Sequence, residues 1–272
     1  MRRPSPRSLL RGALLFGAGA AASGAIALAA TNGTKDVWQT GRSAGTPIFG
    51  NRPTGVGLPR IAPSATTGAG DYANPIRNYH ASGAYERDLV TVDAQASGFL
   101  SQRLKQLAAQ RRRCLKHKPA SQCKQRKPAL VLDIDETSLS NYSYLEASDF
   151  KNATPSLAVA AVTATSPAIA PTLKLFNLAK RKHVGVFFIT GRPEAIRSQT
   201  ESNLTSAGYS GWKQLVINPG GTTVIAYKSG ARAKIEGQGY RVLVNVGDQE
   251  SDLAGGHAVR AFKLPNPFYF IP

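Results

Sequence analysis

The chain has 272 residues, with 34 Lys and Arg against 16 Asp and Glu and a formal net charge of +18. Hydrophobic residues make up 42 % of it, which excludes a wholly disordered chain, and its two cysteines exclude a disulfide-dense scaffold. A single uncharged apolar stretch is long enough to cross a bilayer, which excludes a multi-span membrane protein. This length suits one full-sized domain with additional segments, or two small domains.

The N-terminus has the composition of an export signal. Residues 1–11 carry four arginines and no acid, and residues 12–30 carry no charge. The basic head, the apolar middle and the small residues of Ala27-Leu28-Ala29 predict a signal peptide over residues 1–29. An uncleaved signal anchor is the alternative, and a membrane partner is expected only in that case. We therefore expect the protein outside the cytoplasm, secreted or in the cell envelope.

Residues 30–78 differ in composition from the rest of the chain. They are rich in Gly, Thr, Pro, Ser and Asn and show neither helical periodicity nor alternation. This composition predicts a flexible linker or arm. The remaining residues, 79–272, are predicted to form one domain.

Within that domain, helical and strand patterns alternate. Apolar residues recurring at steps of three and four predict a helix over about residues 85–113. Strands are then predicted at residues 129–132, 184–189, 215–217, 242–246 and 259–264, and helices at residues 171–182, 193–207 and 227–236. This alternation is typical of a Rossmann-like α/β fold, a parallel sheet flanked by helices. In such a fold, ligands bind at the carboxyl ends of the strands.

The end of the first predicted helix is basic and contains both cysteines. In an exported protein, an even pair spaced like Cys114 and Cys123 is predicted to form a disulfide. Residues 101–128 contain ten Lys and Arg, no acid and no aromatic residue. Because side chains for base stacking are missing, we expect a solvated face that attracts anionic substrates. Weak polyanion contact is possible there, and no dedicated nucleic-acid site is predicted.

Acidic residues cluster after two of the predicted strands. Asp133 and Asp135 follow the first strand directly, and Asp248 and Asp252 follow the fourth, which accounts for four of the nine aspartates. We expect Asp133, Asp135 and Asp248 to converge where these two strands emerge side by side. Three uncompensated carboxylates repel one another, so a cation must lie among them. An all-oxygen ligand set suits Mg²⁺.

Two further motifs supply groups that bind an anion. Thr190 ends the second predicted strand, and its hydroxyl together with the backbone amide of Gly191 at a helix start forms a candidate anion site. Lys228, near the start of the helix before the fourth strand, is a candidate positive charge for the same anion. Carboxylates, Mg²⁺, Thr and Lys around a phosphate are the components of phosphoryl transfer.

Several neighbours of these motifs admit two interpretations. Arg192 either orients a phosphate or pairs with a nearby acid such as Glu194. Tyr142 and Tyr144 either stack on an aromatic leaving group or pack in the core, and packing is favoured. Glu136 is expected to be a solvated or capping residue.

Four ordered motifs and the C-terminal sequence carry a family resemblance. They are LVLDIDET (residues 130–137), FFITGRPE (187–194), YKS (227–229), NVGDQESD (245–252) and FKLPNPFYFI (262–271). With these motifs the chain resembles the haloacid dehalogenase-like superfamily. Within it, the chain is similar to the acid phosphatases of subfamily IIIB type, which are related to plant vegetative storage proteins and bacterial secreted acid phosphatases. The resemblance covers about residues 85–272 and implies a haloacid dehalogenase-like fold without a large cap domain.

The resemblance also implies roles for individual residues. Asp133 would be the nucleophile that forms an aspartyl-phosphate, and Asp135 the general acid and base. Mg²⁺ would bind the side chains of Asp133 and Asp248 and the backbone carbonyl of Asp135, with Asp252 bracing these ligands. The phosphoryl oxygens would be held by Thr190, Gly191 and Lys228.

The implied function is therefore exported, Mg²⁺-dependent hydrolysis of small-molecule phosphate monoesters. The alternatives are a catalytically idle storage protein and a polyanion-binding protein on the same fold. Some plant relatives lack the nucleophilic aspartate, whereas this chain retains it at Asp133.

Overall fold

The computed structural model describes residues 48–50 and 73–271. The predicted signal peptide, residues 1–29, lies outside the described residues, as does most of the predicted linker. The strands are β1 (Ile48–Gly50), β2 (Lys127–Leu132), β3 (Gly185–Pro193), β4 (Gln214–Asn218), β5 (Tyr240–Gly247) and β6 (Arg260–Lys263). The helices are α1 (Ala73–Ala81), α2 (Ala84–Leu115), α3 (Tyr142–Glu146), α4 (Ala153–Thr163), α5 (Ala170–Arg181), α6 (Arg197–Ser206), α7 (Val224–Gly237) and α8 (Glu250–Leu253).

The strands form one parallel sheet in the order β1-β6-β5-β2-β3-β4. Alternate residues of the central strands enter different apolar clusters. Leu130 and Phe188 belong to a large cluster with α1, α2 and α5, whereas Val131 and Phe187 belong to a second cluster with α7. Because side chains alternate along a strand, this division shows that both faces of the sheet are covered. The predicted parallel α/β fold is confirmed.

Helix α2 is far longer than the strands that it covers. Its 32 residues extend about 48 Å, and its buried apolar residues lie in its first seventeen residues, between Tyr85 and Leu100. After Leu107, which is half-buried, most of the helix is exposed. The Cys114–Cys123 disulfide is present, with the two Cα atoms 5.7 Å apart, and it ties the end of α2 to the loop before β2.

Some predicted boundaries differ from the structure. Residues 73–78, placed in the linker by composition, belong to α1, and β1 pairs with β6. The helix expected from residue 193 begins at Arg197, because β3 continues to Pro193 and a 3-10 turn over Glu194–Ile196 follows. Helices α3 and α4 were missed. In α4, six of eleven residues are buried and alanines occupy most sides, so no amphipathic pattern marks it.

The segment between β2 and β3 contains the helices α3, α4 and α5, whose buried Leu145, Leu157 and Leu175 belong to the same large apolar cluster as the central strands. In the part of the chain that the structure describes, no helix combines the length and apolar character needed to span a membrane.

Candidate active site

The predicted acidic residues meet at the carboxyl edge of the sheet. Asp133 follows β2 and Asp248 follows β5, and these strands are neighbours in register, with Leu132 opposite Val246. Carboxylate oxygens of Asp133, Asp248 and Asp252 lie within 4.8 Å of one another, and all three residues are buried. The convergence expected from the sequence is therefore present for Asp133 and Asp248, and Asp252 is part of the same cluster.

A tight loop after β2 holds Asp133 in place. The backbone amides of Ser138 and Leu139 both donate to the carbonyl of Ile134, each at 2.8 Å. The Asp133 amide donates to the Val246 carbonyl at 3.0 Å, and the Ser138 hydroxyl donates to the Asp133 carbonyl at 2.6 Å. These bonds connect the loop to itself and to β5, so the Asp133 side chain projects from a fixed backbone.

Lys228 joins two of the carboxylates. Its ammonium group donates to Oδ1 of Asp133 at 2.6 Å and also contacts Oδ1 of Asp252. Burial lowers the pKa of Lys228, but the two carboxylates outweigh this effect and raise it, so the ammonium stays charged. Burial and the nearby Asp252 charge raise the pKa of Asp133 well above its usual range, while Lys228 opposes that rise.

Asp252 is held from several sides. Its Oδ2 accepts the backbone N–H of Gln249 at 2.8 Å, which forms a capping box at the start of α8. Its backbone carbonyl accepts from the Asn245 amide at 3.0 Å and from Nη1 of Arg232 at 2.7 Å. Arg232 also donates to the carbonyls of Ala254 and Gly256, so this buried guanidinium fixes the segment after β5.

Asp248 accepts only neutral donors among the hydrogen bonds that the described residues show. The Thr137 hydroxyl lies 3.0 Å from Oδ1, and the side-chain amides of Gln249 and Asn266 lie 2.7 Å from Oδ2. Burial and the Asp252 charge raise its pKa, and Lys263 opposes this rise.

Asp135 points to a different partner. Its carboxylate accepts from Nη2 of Arg192 at 2.7 Å and Nε at 3.1 Å, and from the Asn141 amide at 2.9 Å. Burial opposes ionisation, but the Arg192 charge prevails and lowers the pKa of Asp135. The ion pair expected of Arg192 thus exists, but with Asp135. The suggested partner, Glu194, pairs with Arg197 instead.

Glu136 is not solvated, so that half of the prediction was wrong, although its carboxylate does accept a backbone N–H at the N-cap residue of α3. Its side chain is completely buried and accepts from the backbone amide of Asn141 at 2.5 Å and the hydroxyl of Tyr269 at 2.9 Å. Burial and the adjacent Asp135 charge raise the pKa of Glu136 to about 8. The sequence could not show this, because the partner Tyr269 lies in the C-terminal segment.

The residues of the expected anion site, Thr190 and Gly191, lie at the end of β3, but no α-helix begins there. Thr190 is buried in β3, and its hydroxyl accepts the backbone N–H of Arg192 at 3.2 Å. Gly191 is exposed, and a side chain there would project into open space. Since α6 begins only at Arg197, the amide of Gly191 belongs to the strand end and not to a helix N-terminus.

Sequence reasoning missed the residues that connect the C-terminal segment to the site. Asn266 and Tyr269 bond to Asp248 and Glu136, and both lie in the ending that contributes to the resemblance. The packing interpretation holds for Tyr142, whose ring stacks on His80 with centroids 3.7 Å apart. The Tyr144 hydroxyl bonds to Thr165 at 2.6 Å.

The cluster has the composition of a metal site for a hard cation. Three buried carboxylates, from Asp133, Asp248 and Asp252, lie around one ammonium group, that of Lys228. Their oxygens offer the ligand type that Mg²⁺ or a similar cation prefers, and a bound cation would offset the excess negative charge. The residues present therefore fit a divalent metal ion.

Comparison with known proteins finds a matching family model and several sequence relatives. Residues 59–272 match the family model of the HAD superfamily, subfamily IIIB (acid phosphatase). Acid phosphatase 1 of Solanum lycopersicum is 38 % identical over 152 residues, which cover 52 % of this chain and 58 % of the relative. Vegetative storage protein 1 of Arabidopsis thaliana is 30 % identical over 148 residues, which cover 52 % of this chain and 55 % of the relative.

A solved structure shares the fold. The class C acid phosphatase of Bacillus anthracis superimposes with a TM-score of 0.53 at 17 % identity, covering 74 % of this chain and 86 % of that one. The matched part of the chain spans about 52–61 % of the length of the first curated relatives. On the family match, which covers well over half of the sequence, the chain belongs to the HAD superfamily, subfamily IIIB, the acid phosphatase family.

Proposed function

We propose that this protein hydrolyses small-molecule phosphate monoesters through an aspartyl-phosphate on Asp133. One observation carries the proposal: Asp133 lies on a fixed loop between Lys228 and the carboxylates of Asp248 and Asp252. It keeps 7 % of its surface exposed at the carboxyl edge, and the substrate phosphate would reach it there. A nucleophile with a neighbouring cation and a cluster of metal-type ligands is what phosphoryl transfer requires.

In the first step, Oδ2 of Asp133 attacks phosphorus while Oδ1 remains bonded to Lys228. The bond from phosphorus to the ester oxygen breaks, and Asp135, in its protonated form, gives its proton to the departing alcohol; because Arg192 lowers the pKa of this carboxyl, that form is populated at acidic pH. In the second step, water gives a proton to Asp135 and attacks the same phosphorus, which releases phosphate and restores the Asp133 carboxylate. Arg192 would hold the Asp135 carboxyl in a fixed position during both steps.

The phosphoryl oxygens are held by Lys228, by the Thr190 hydroxyl and by the Gly191 amide. Lys228 supplies a full positive charge, and the other two supply hydrogen bonds from a rigid strand end. Mg²⁺ would be held by Asp133, Asp248 and the Asp135 carbonyl, with Asp252 bracing them. When bound, it would offset the charge of the carboxylates and the phosphate.

We also propose that the protein is exported. The signal-like composition of residues 1–29 supports this, and so does the Cys114–Cys123 disulfide, because disulfides persist in oxidising compartments.

The proposal is tested by hydrolysis of an aryl phosphate across acidic and neutral pH, with Mg²⁺ or with a chelator. Asp133→Asn keeps the size and shape of the side chain, and we expect it to abolish turnover without unfolding the protein. Lys151→Gln, which alters an exposed cation that pairs with Asp149 and not with the cluster, serves as the matched control. Turnover that survives in Asp133→Asn would refute the nucleophile. A folded wild-type protein without turnover would favour the storage alternative.

A further inference from the structure

The end of helix α2 and the loop after it form a basic protrusion, which we call the overhang (residues 108–127). Helix α2 extends beyond the core after Leu107, and the disulfide and a bond from Gln125 to the Leu107 carbonyl at 3.0 Å hold the following loop against it. The overhang carries eight exposed cations and no acid: Arg111, Arg112, Arg113, Lys116, Lys118, Lys124, Arg126 and Lys127. Among the described residues, no carboxylate lies within salt-bridge distance of any of these side chains.

The fold adds further cations beside the overhang. Since β2 begins at Lys127, the overhang lies at the amino edge of the sheet. The starts of neighbouring strands bring exposed Lys182, Lys213 and Arg241 to the same edge. Glu236 also lies there, with its carboxylate against His257. The overhang and these three cations together form what we call the basic face. It extends across the starts of several strands, which lie about 4.8 Å apart, and residues far apart in sequence contribute to it.

This position separates the basic face from the candidate active site. The site lies at the carboxyl edge, and the six residues of β2 alone place about 20 Å between the two. Charges at that distance are largely screened at physiological salt, where the Debye length is about 8 Å. The basic face is therefore poorly placed to attract substrates, contrary to the expectation from sequence, and it calls for a different partner.

We propose that the overhang docks the protein on an anionic lipid bilayer, with the active site directed away from the membrane. Leu115 favours lipid over other polyanions: it is 42 % exposed at the end of α2, between Arg113 and Lys116. An apolar side chain flanked by cations fits the boundary between headgroups and acyl chains. Residues 101–128 contain no Phe, Tyr or Trp on which a nucleobase could stack.

The test measures partitioning of the full chain onto vesicles by co-sedimentation. One set of vesicles is pure phosphatidylcholine, and in the other about one lipid in four is phosphatidylserine. The overhang variant replaces three arginines by glutamine, at positions Arg111, Arg112 and Arg113. A matched control removes the same charge from exposed residues outside the basic face, at Arg87, Lys151 and Lys174.

We expect the wild type and the control variant to prefer the anionic vesicles. The overhang variant should lose on the order of 100-fold in partitioning, since each of the three cations near such a surface contributes about fivefold. All three proteins should retain the same melting temperature and the same rate on a soluble phosphate ester. Equal partitioning of the wild type on both vesicles, or equal losses in the two variants, would overturn the proposal.

Leu115→Ser separates lipid from other polyanions. We expect it to lower partitioning onto anionic vesicles several-fold and to leave binding to duplex DNA unchanged. If Leu115→Ser changes neither, or if the overhang variant loses DNA binding but keeps its vesicle binding, the partner is a nucleic acid or another polymer, and the lipid proposal fails.

Discussion

Gly247 provides a sharp test of how the cluster is built. It ends β5 and immediately precedes Asp248, and its backbone does not adopt a positive φ. A methyl group at this position would meet the Asp252 side chain, 2.6 Å from Oδ2 and 2.8 Å from Cγ, and would be closer still to its Cβ. Ordinary contact requires about 3.5 Å or more, so Gly247→Ala must displace Asp252 by about 1 Å.

Asp252 has little freedom to make that shift. Its carboxylate is bonded to Lys228 and to the Gln249 amide, and its carbonyl is bonded to Arg232. We therefore expect Gly247→Ala to lower the free energy of unfolding by about 1–3 kcal/mol, as overpacking does. Displacing a residue of the cluster by this distance should also lower kcat/KM by on the order of 100-fold.

The control makes the same chemical change at an open position. A side chain on Gly98, on the exposed face of α2, would meet nothing within 4 Å, so Gly98→Ala should stabilise the helix by up to about 1 kcal/mol. Urea unfolding and steady-state kinetics with an aryl phosphate measure both effects. If Gly247→Ala unfolds at the wild-type urea concentration and keeps the wild-type kcat/KM, the rigid packing described here is refuted.

Two further substitutions test buried charges. Asp93 lies inside α2, and burial raises its pKa from 3.8 to about 7. Between about pH 4 and 7 the Asp93 carboxyl is ionised in the unfolded chain and protonated in the folded chain. The free energy of unfolding is therefore highest below pH 4 and has fallen by up to about 4 kcal/mol once the pH has risen through 7. Asp93→Asn should flatten this dependence in urea unfolding, and an unchanged slope would contradict the burial argument. Arg192→Met should lower the free energy of unfolding by about 3–5 kcal/mol, because it leaves the Asp135 carboxylate buried and unpaired. Arg197→Met removes an exposed ion pair and should change it little, and thermal unfolding of both variants measures the difference.

The sequence predicted the elements whose signals are local. Apolar runs such as Val242–Val246 marked the central strands, and their order implied a parallel sheet. The same logic brought Asp133 and Asp248 together, because their strands end at one edge and are neighbours in the structure. Lys228 was also placed correctly, near the start of a helix whose apolar residues were recognised.

The missed features depend on contacts between distant parts of the chain. Glu136 is buried because Tyr269 and Asn141 supply its hydrogen bonds, and nothing adjacent in sequence signals this. Arg192 pairs with Asp135 and not with its near neighbour Glu194, because the fold places the ends of β2 and β3 side by side. Local composition predicts only the nearer partner, and tertiary structure decides between the two.

The most direct test of the central claim is to identify the residue that becomes phosphorylated. In Asp135→Asn the general base is absent, so an activated aryl phosphate should still phosphorylate the enzyme while hydrolysis of the intermediate slows. Acid quenching within the first turnover, followed by peptide mass spectrometry, should find the phosphoryl group on Asp133. A phosphoryl group on any other residue, or turnover by this variant without a phosphorylated intermediate, would contradict the account.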